Sequence, residues 1–353
     1  MKTTSNQVTK KRVLTAIQVI VTAGILFWIF HTHGADMWMV LTQKHPKPAW
    51  LLAGFAFYGF MELLGTVRWY ILLRVQGIKL AEWRVCALLM LGIFFNMFMP
   101  GGTGGDVMKI VYLIKEVPEQ KAKGLLAVLM DRLIGLMALI IISSVIIGLQ
   151  YHWLRTSQTA EHLTWVLLGL LVSSLGAIVF SFAISGFGLA HKLPKRMPMR
   201  DKLIDMSVAY NAYARAWPAS LVALIAAFGV HLSTFMMFVC AARALGVTLP
   251  SGAPISIGAV LTVMPIILTI SALPISVGGT GVREALFAAL LVPLCGIATP
   301  VAFTLSLTGF MLSAAWGVIG GIVYLLYRPS QHPKIMEAQL QVHELEHEIA
   351  EAE

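Results

Sequence analysis

Residues 85–114 read VCALLMLGIFFNMFMPGGTGGDVMKIVYLI. The first 15 residues, 85–99, are apolar except for Asn96. Pro100 and the run Gly101, Gly102, Thr103, Gly104, Gly105 interrupt them, and a second apolar run, 107–114, holds only eight residues, Lys109 among them. A helix rises 1.5 Å per residue, so eight residues reach roughly 12 Å. A bilayer's hydrocarbon core is about 30 Å thick. A chain that enters an apolar phase over 85–99 cannot leave on the far side over 107–114; it must turn back as a re-entrant hairpin.

Such a turn requires a membrane, and the rest of the chain implies one. Of 353 residues, 58% are hydrophobic and 12% charged, with a mean hydropathy of +0.80. Soluble domains carry about 25% charged residues, so a wet surface is undersupplied. Six segments are long enough to span: 13–30, 49–73, 124–149, 163–190, 219–242 and 301–327. No alternating runs of about ten residues suggest a transmembrane barrel. The net charge of +9 sits in loops flanking apolar segments, as the positive-inside rule expects, and no basic, aromatic-interleaved stretch points to nucleic acid. Cys86, Cys240 and Cys295 fall in apolar segments with no metal or redox spacing and read as packing thiols. Residues 13–30 follow Lys10, Lys11 and Arg12 without a small-residue cleavage site, so they read as an uncleaved first span.

Loop charges orient the bundle. Eighteen Lys and Arg fall on the side of the N-terminus, of loops 74–84, 115–123 and 192–215, and of the segment after the last span, against Lys44, Lys47, Arg155 and Arg243 on the other. Both termini are therefore expected in the cytoplasm. A second irregular region, 255–272, contains Pro265, meets Pro274 and a glycine run, and resumes over 282–298. Its length allows two full spans, but it repeats the first: GGTG recurs at Gly278, Gly279, Thr280 and Gly281. One hairpin opens inward and the other outward. The expected fold is all-α, a polytopic helical membrane bundle of six full spans plus two re-entrant helical hairpins in inverted-topology repeats, an arrangement many transporters share. The halves cover 13–149 and 163–327, between a cytoplasmic segment at 1–12 and a solvated acidic tail at 328–353.

Eight ionisable residues fall inside apolar segments: Glu62, Arg68, Asp106, Lys109, Asp131, Arg132, Arg283 and Glu284. Each costs about 2.5–3.5 kcal/mol at the bilayer centre, so four acids matched by four bases suggest paired charges around a wet cavity. Several simpler roles stay open. Asp106 and Lys109 share a helix face and can neutralise each other, Asp106 can cap the helix that follows, and the glycines can serve only close packing. The sharper reading is chemical: a glycine turn ahead of a helix frees backbone N–H groups for an anion. Two such starts, near Gly105 and Val282, with Lys109, Arg132 and Arg283 nearby, would make a phosphate site. Asn96 either bonds backbone freed by the turn or touches substrate. No nucleophile elbow, P-loop or zinc-protease motif is present, and His31, His33 and His45 lack matching ligands for a metal.

Four segments taken in order, Glu62–Tyr70 (ELLGTVRWY), Asn96–Lys109 (NMFMPGGTGGDVMK), Asp131–Leu136 (DRLIGL) and Leu273–Leu286 (LPISVGGTGVREAL), resemble the lysylphosphatidylglycerol synthase transmembrane family, also called the flippase-like domain family. In the large synthases a domain of this kind moves an aminoacylated lipid to the outer leaflet, while a soluble domain makes that lipid. The resemblance implies a stand-alone flippase-like domain over 13–327 in a bacterial inner membrane, translocating rather than transferring. It implies no cofactor and a membrane phospholipid or polyprenyl-linked lipid as partner; a lipid-modifying enzyme and a second copy are further partners to consider. Two rivals remain: a membrane enzyme holding a divalent ion with Asp106, Asp131 and Glu284, and a non-transporting subunit of a lipid-synthesis complex.

Overall fold

A computed structural model describes residues 2–43, 45–98, 104–186, 211–273, 276 and 279–327. Among these the chain is built from helices: α1 Lys2–Gln43, α2 Pro48–Val75, α3 Glu82–Phe98, α4 Gly104–Glu116, a 3-10 turn at Pro118–Gln120, α5 Lys121–Leu154, α6 Gln158–Gly186, α7 Trp217–Ala244, α8 Ile257–Ser271, α9 Val282–Cys295 and α10 Thr299–Leu326. No strand forms among the described residues. The helix ends follow local chemistry. Prolines start α2, α7 and α10, where a missing N–H costs nothing. Ser256 caps α8, its hydroxyl accepting from the Ala259 N–H at 3.0 Å.

The protein is a polytopic helical bundle. Stretches of α2, α5, α6, α7 and α10 are long and apolar enough to cross a bilayer, and the first sequence-predicted span, 13–30, lies wholly within α1. Helices α3, α4, α8 and α9 hold 17, 13, 15 and 14 residues, or roughly 20 to 26 Å each. All four fall short of about 30 Å of hydrocarbon. The first short helix is longer than the eight apolar residues suggested, because Gly104 to Asp106 and Lys115 to Glu116 join it. Among the described residues one pair of short helices, α3 and α4, follows α2, and another, α8 and α9, follows α7.

Packing concentrates on α2 against α7, with α3 on α10 and α4 next. Close seams form where glycine faces a neighbour. On α10, Gly321 lies where a Cβ would come within 2.8 Å of the Phe94 ring, and a Cβ on Gly320 would overlap the Met90 carbonyl of α3. Small residues at such crossings let helix backbones approach in lipid. The largest buried cluster joins α5 to α10, including Phe235, Phe238, Phe287 and Leu290, and a second joins α2, α3 and α4 around Trp69, Leu91 and Tyr112. The outside is as apolar as the inside: Leu149, Leu325 and Phe27 are more than 70% exposed, which suits a lipid-facing surface and no aqueous one.

Candidate functional site

The eight ionisable residues are gathered into two networks. The first joins α2, α4 and α5. Arg68 of α2 grips Asp131 of α5 with a two-pronged contact, Nε to Oδ1 at 2.6 Å and Nη2 to Oδ2 at 3.0 Å. Lys109 of α4 lies 3.2 Å from Asp106 Oδ1 and 4.0 Å from Asp131 Oδ2. Arg132 of α5 pairs with the other oxygen of Asp106. Helix geometry dictates these partners: Asp106 and Lys109 are one turn apart on α4, while adjacent Asp131 and Arg132 point in different directions around α5.

Lys109 shows how a charge is housed at this depth. Its ammonium sits 4.9 Å from the centre of the Trp69 ring. Its stem runs over Gly92 of α3, where a Cβ would come within 2.9 Å of Lys109 Cδ. An aromatic face, two carboxylates and the room left by a glycine together replace water around the cation. Arg132 is the outlying member, with its side chain 56% exposed.

Glu62 completes this group. It is the midpoint residue of α2, is buried, and lies beside Tyr58, Lys109, Arg68 and Asp131. It forms no ion pair among the described residues. Counting Glu62, the network has three acids and three bases, a formal charge of zero.

The second network joins α9 to α10. Gly281, at φ +86°, precedes the first turn of α9, and its N–H donates to Glu284 Oε2 at 2.6 Å. The other oxygen of Glu284 receives Arg283 Nη2 and the Ser306 hydroxyl, both at 2.8 Å; Arg283 Nε also reaches Ser306 Oγ at 3.1 Å. Arg283 lies 5.2 Å from the centre of the Phe310 ring. Acid and base are again matched. Tyr58 lies one turn before Glu62 on α2, within electrostatic range of Glu62 and of Arg283.

At two helix starts the backbone is already satisfied. The Gly105 N–H donates to Asn96 Oδ1 at 2.8 Å, the first of the two roles open to Asn96, and the Gly281 N–H is taken by Glu284. The expectation of open N–H groups is not met at these positions. Gly104 and Gly105 are buried in α4, and a Cβ on Gly105 would overlap the Gly92 carbonyl. Gly279, at φ +73°, lies where a Cβ would come within 2.7 Å of the Ser271 carbonyl. Gly101, Gly102 and Gly278 lie outside the described residues.

Asp106, Asp131 and Glu284, the acids a metal-dependent enzyme would need, are divided between the networks. Among the described residues no group of three His, Cys, Asp or Glu side chains is placed to hold a metal ion. Three partners escaped the sequence reading: Tyr58, Trp69 and Ser306. Each sits in an apolar run where an aromatic or a serine looks like packing, and only its pairing with a charge reveals it.

The family description "Lysylphosphatidylglycerol synthase TM region" matches residues 15–328. No curated protein matches the chain.

Proposed function

The chain belongs to the lysylphosphatidylglycerol synthase transmembrane family, and we propose that it moves a phospholipid or lipid-linked phosphate between leaflets of the bacterial inner membrane. The observation that carries this reading is the pair of largely buried, charge-matched networks, one joining α2, α4 and α5 and the other α9 and α10. Buried ionisable groups at membrane depth are costly and mark substrate or ion pathways by default. A headgroup travelling this path would exchange its hydration for Lys109, Arg132 and Arg283 on its phosphate, alongside the carboxylates of Asp106, Asp131 and Glu284 that hold those bases, with Glu62 beside them. Arg68 and Asn96 would hold the path's walls. Gly101, Gly102 and Gly278 at the two tips would let backbone come close to the phosphate, while Gly104, Gly105, Gly279 and Gly281 would serve the close packing of the tips.

In this proposal the two halves are inverted repeats with both termini cytoplasmic, and alternating access comes from one hairpin moving against the other half. Apolar cavities at the edge of the bundle suit acyl chains. One of ≈ 490 Å³ is lined by Ile141, Val145, Leu149, Phe228, Leu232 and Leu261, among others. Headgroup and tails would then follow separate surfaces. The test is reconstitution: purified protein in vesicles holding headgroup-labelled phosphatidylglycerol, with a membrane-impermeant quencher reporting the lipid on the outer leaflet. Wild type is expected to move label across, and Asp106→Asn and Arg283→Gln to move less. Equal movement by all three would remove these residues from the path; no movement by wild type would remove the function.

A further inference from the structure

We infer that Glu62 is a proton-binding site coupled to the phosphate, so that each anionic headgroup entering the path is accompanied by one proton. This rests on the proposed lipid path and adds a second ligand to it.

The inference comes from matched charges and position. Within the membrane segments, Arg68 is held by Asp131, Lys109 by Asp106 and Asp131, Arg132 by Asp106, and Arg283 by Glu284. Glu62 is the acid left over: 8% exposed, without an ion pair among the described residues, at the centre of a helix of 28 residues. The titratable groups within electrostatic range of it are Lys109 of α4, Arg68 and Tyr58 of α2 and Asp131 of α5, and Arg283 of α9 lies within range of Tyr58. On α7 the titratable group near this level is His231, whose Nε2 is 2.9 Å from the Gly135 carbonyl. On α3, Arg84 is engaged with Glu116 at the far end of the hairpin, and on α10 the one titratable residue, Tyr324, is packed against Phe94 and Phe95.

With Glu62 ionised, four acids balance four bases and the path is neutral. A phosphodiester brings one negative charge into this dry, neutral setting, where an uncompensated charge is expensive. Two remedies exist: break an ion pair such as Arg68–Asp131, or add a proton. Protonation of one carboxylate oxygen of Glu62 turns it into a neutral acid and leaves the path at +1, matching the anion with every ion pair kept. The carboxyl proton is released when the headgroup departs and the carboxylate is again needed for balance. Asp106, Asp131 and Glu284 are poor candidates for this role because each is held by a cation in an ion pair, whereas Glu62 is in none among the described residues.

The experiment measures proton uptake and pH-dependent binding together. Full-length protein in nanodiscs of phosphatidylcholine, in weakly buffered solution with a pH indicator, receives phosphatidylglycerol, phosphatidylcholine or soluble glycerophosphoglycerol. Wild type is expected to take up about one proton per phosphatidylglycerol bound, and its affinity to fall about tenfold per pH unit once Glu62 ionises, as linkage of one proton requires. Glu62→Gln is expected to bind phosphatidylglycerol with a flat pH profile and no uptake, while Glu62→Asp retains both. Uptake with glycerophosphoglycerol as well would assign the site to the phosphate alone; uptake with phosphatidylglycerol only would assign it to the intact lipid. Either supports the coupling. Phosphatidylglycerol binding without proton uptake by wild type, or unchanged uptake by Glu62→Gln, would overturn the coupling and leave the lipid path standing. No anionic lipid binding by wild type would overturn both. Should Glu62→Gln not fold, the wild-type stoichiometry still decides, zero protons per lipid refuting the coupling.

Discussion

Removing the Asp131 carboxylate should cost the bundle more than removing its whole ion pair. Asp131 has a side chain only 4% exposed and Arg68 one 13% exposed, and the two-pronged contact fixes α5 to α2. Asp131→Leu leaves Arg68 buried without its counter-ion and leaves Lys109 with Asp106 alone. Truncating one partner of a buried pair costs about 3–5 kcal/mol. Hydrogen bonds between neutral groups in membrane proteins average nearer 0.6 kcal/mol, so the stranded charge accounts for most of the loss. Replacing both partners, Arg68→Met with Asp131→Leu, deletes that charge and should recover at least about 2 kcal/mol of it. The assay is unfolding of purified protein by sodium dodecyl sulfate in mixed micelles, followed by circular dichroism. A double variant as unstable as Asp131→Leu alone would refute the account of the pair as matched buried charges.

Gly320→Ala should lower the melting temperature in detergent, because its Cβ would overlap the Met90 carbonyl of α3, an overpacking worth about 1–3 kcal/mol; an unchanged melt would mean that this seam is loose. Gly281→Ala should cost roughly 1–2 kcal/mol for the left-handed backbone at φ +86°. By contrast Gly176→Ala on α6, with nothing within 4 Å of its Cβ, should stabilise by about 0.5–1 kcal/mol; equal effects at the two sites would contradict the helix-start geometry. Ser306→Ala removes a donor to Glu284 and an acceptor for Arg283, and should cost about 1–3 kcal/mol in the same unfolding assay while Ser173→Ala, at an exposed site, changes little.

The fold was legible where the sequence breaks. The start of α9 at Val282 lies directly after the second GGTG, where Gly281 takes a positive φ, because glycine acts on the backbone locally. The membrane class followed from apolar runs that no soluble surface could absorb. The eight ionisable residues were legible as a balanced set of acids and bases, since an unpaired charge in lipid is too costly to keep by chance. Their pairing was not. Arg68 and Asp131 lie 63 residues apart, and only the packing of α5 on α2 brings them together. Asn96 was placed beside the turn by its spacing, but its choice of the Gly105 N–H depends on how closely α3 meets α4. Tyr58 carries no charge and sits among Phe55, Phe57 and Phe60, so in sequence it reads as one more packing ring.

A photoreactive amino acid placed at Tyr58, in protein reconstituted with headgroup-tritiated phosphatidylglycerol, tests most directly whether a headgroup travels between the networks. Irradiation should attach tritium at position 58 above the level found when the same group replaces lipid-facing Leu325, and Arg283→Gln should reduce it. Labelling at 58 no greater than at 325 would mean that headgroups pass elsewhere or not at all.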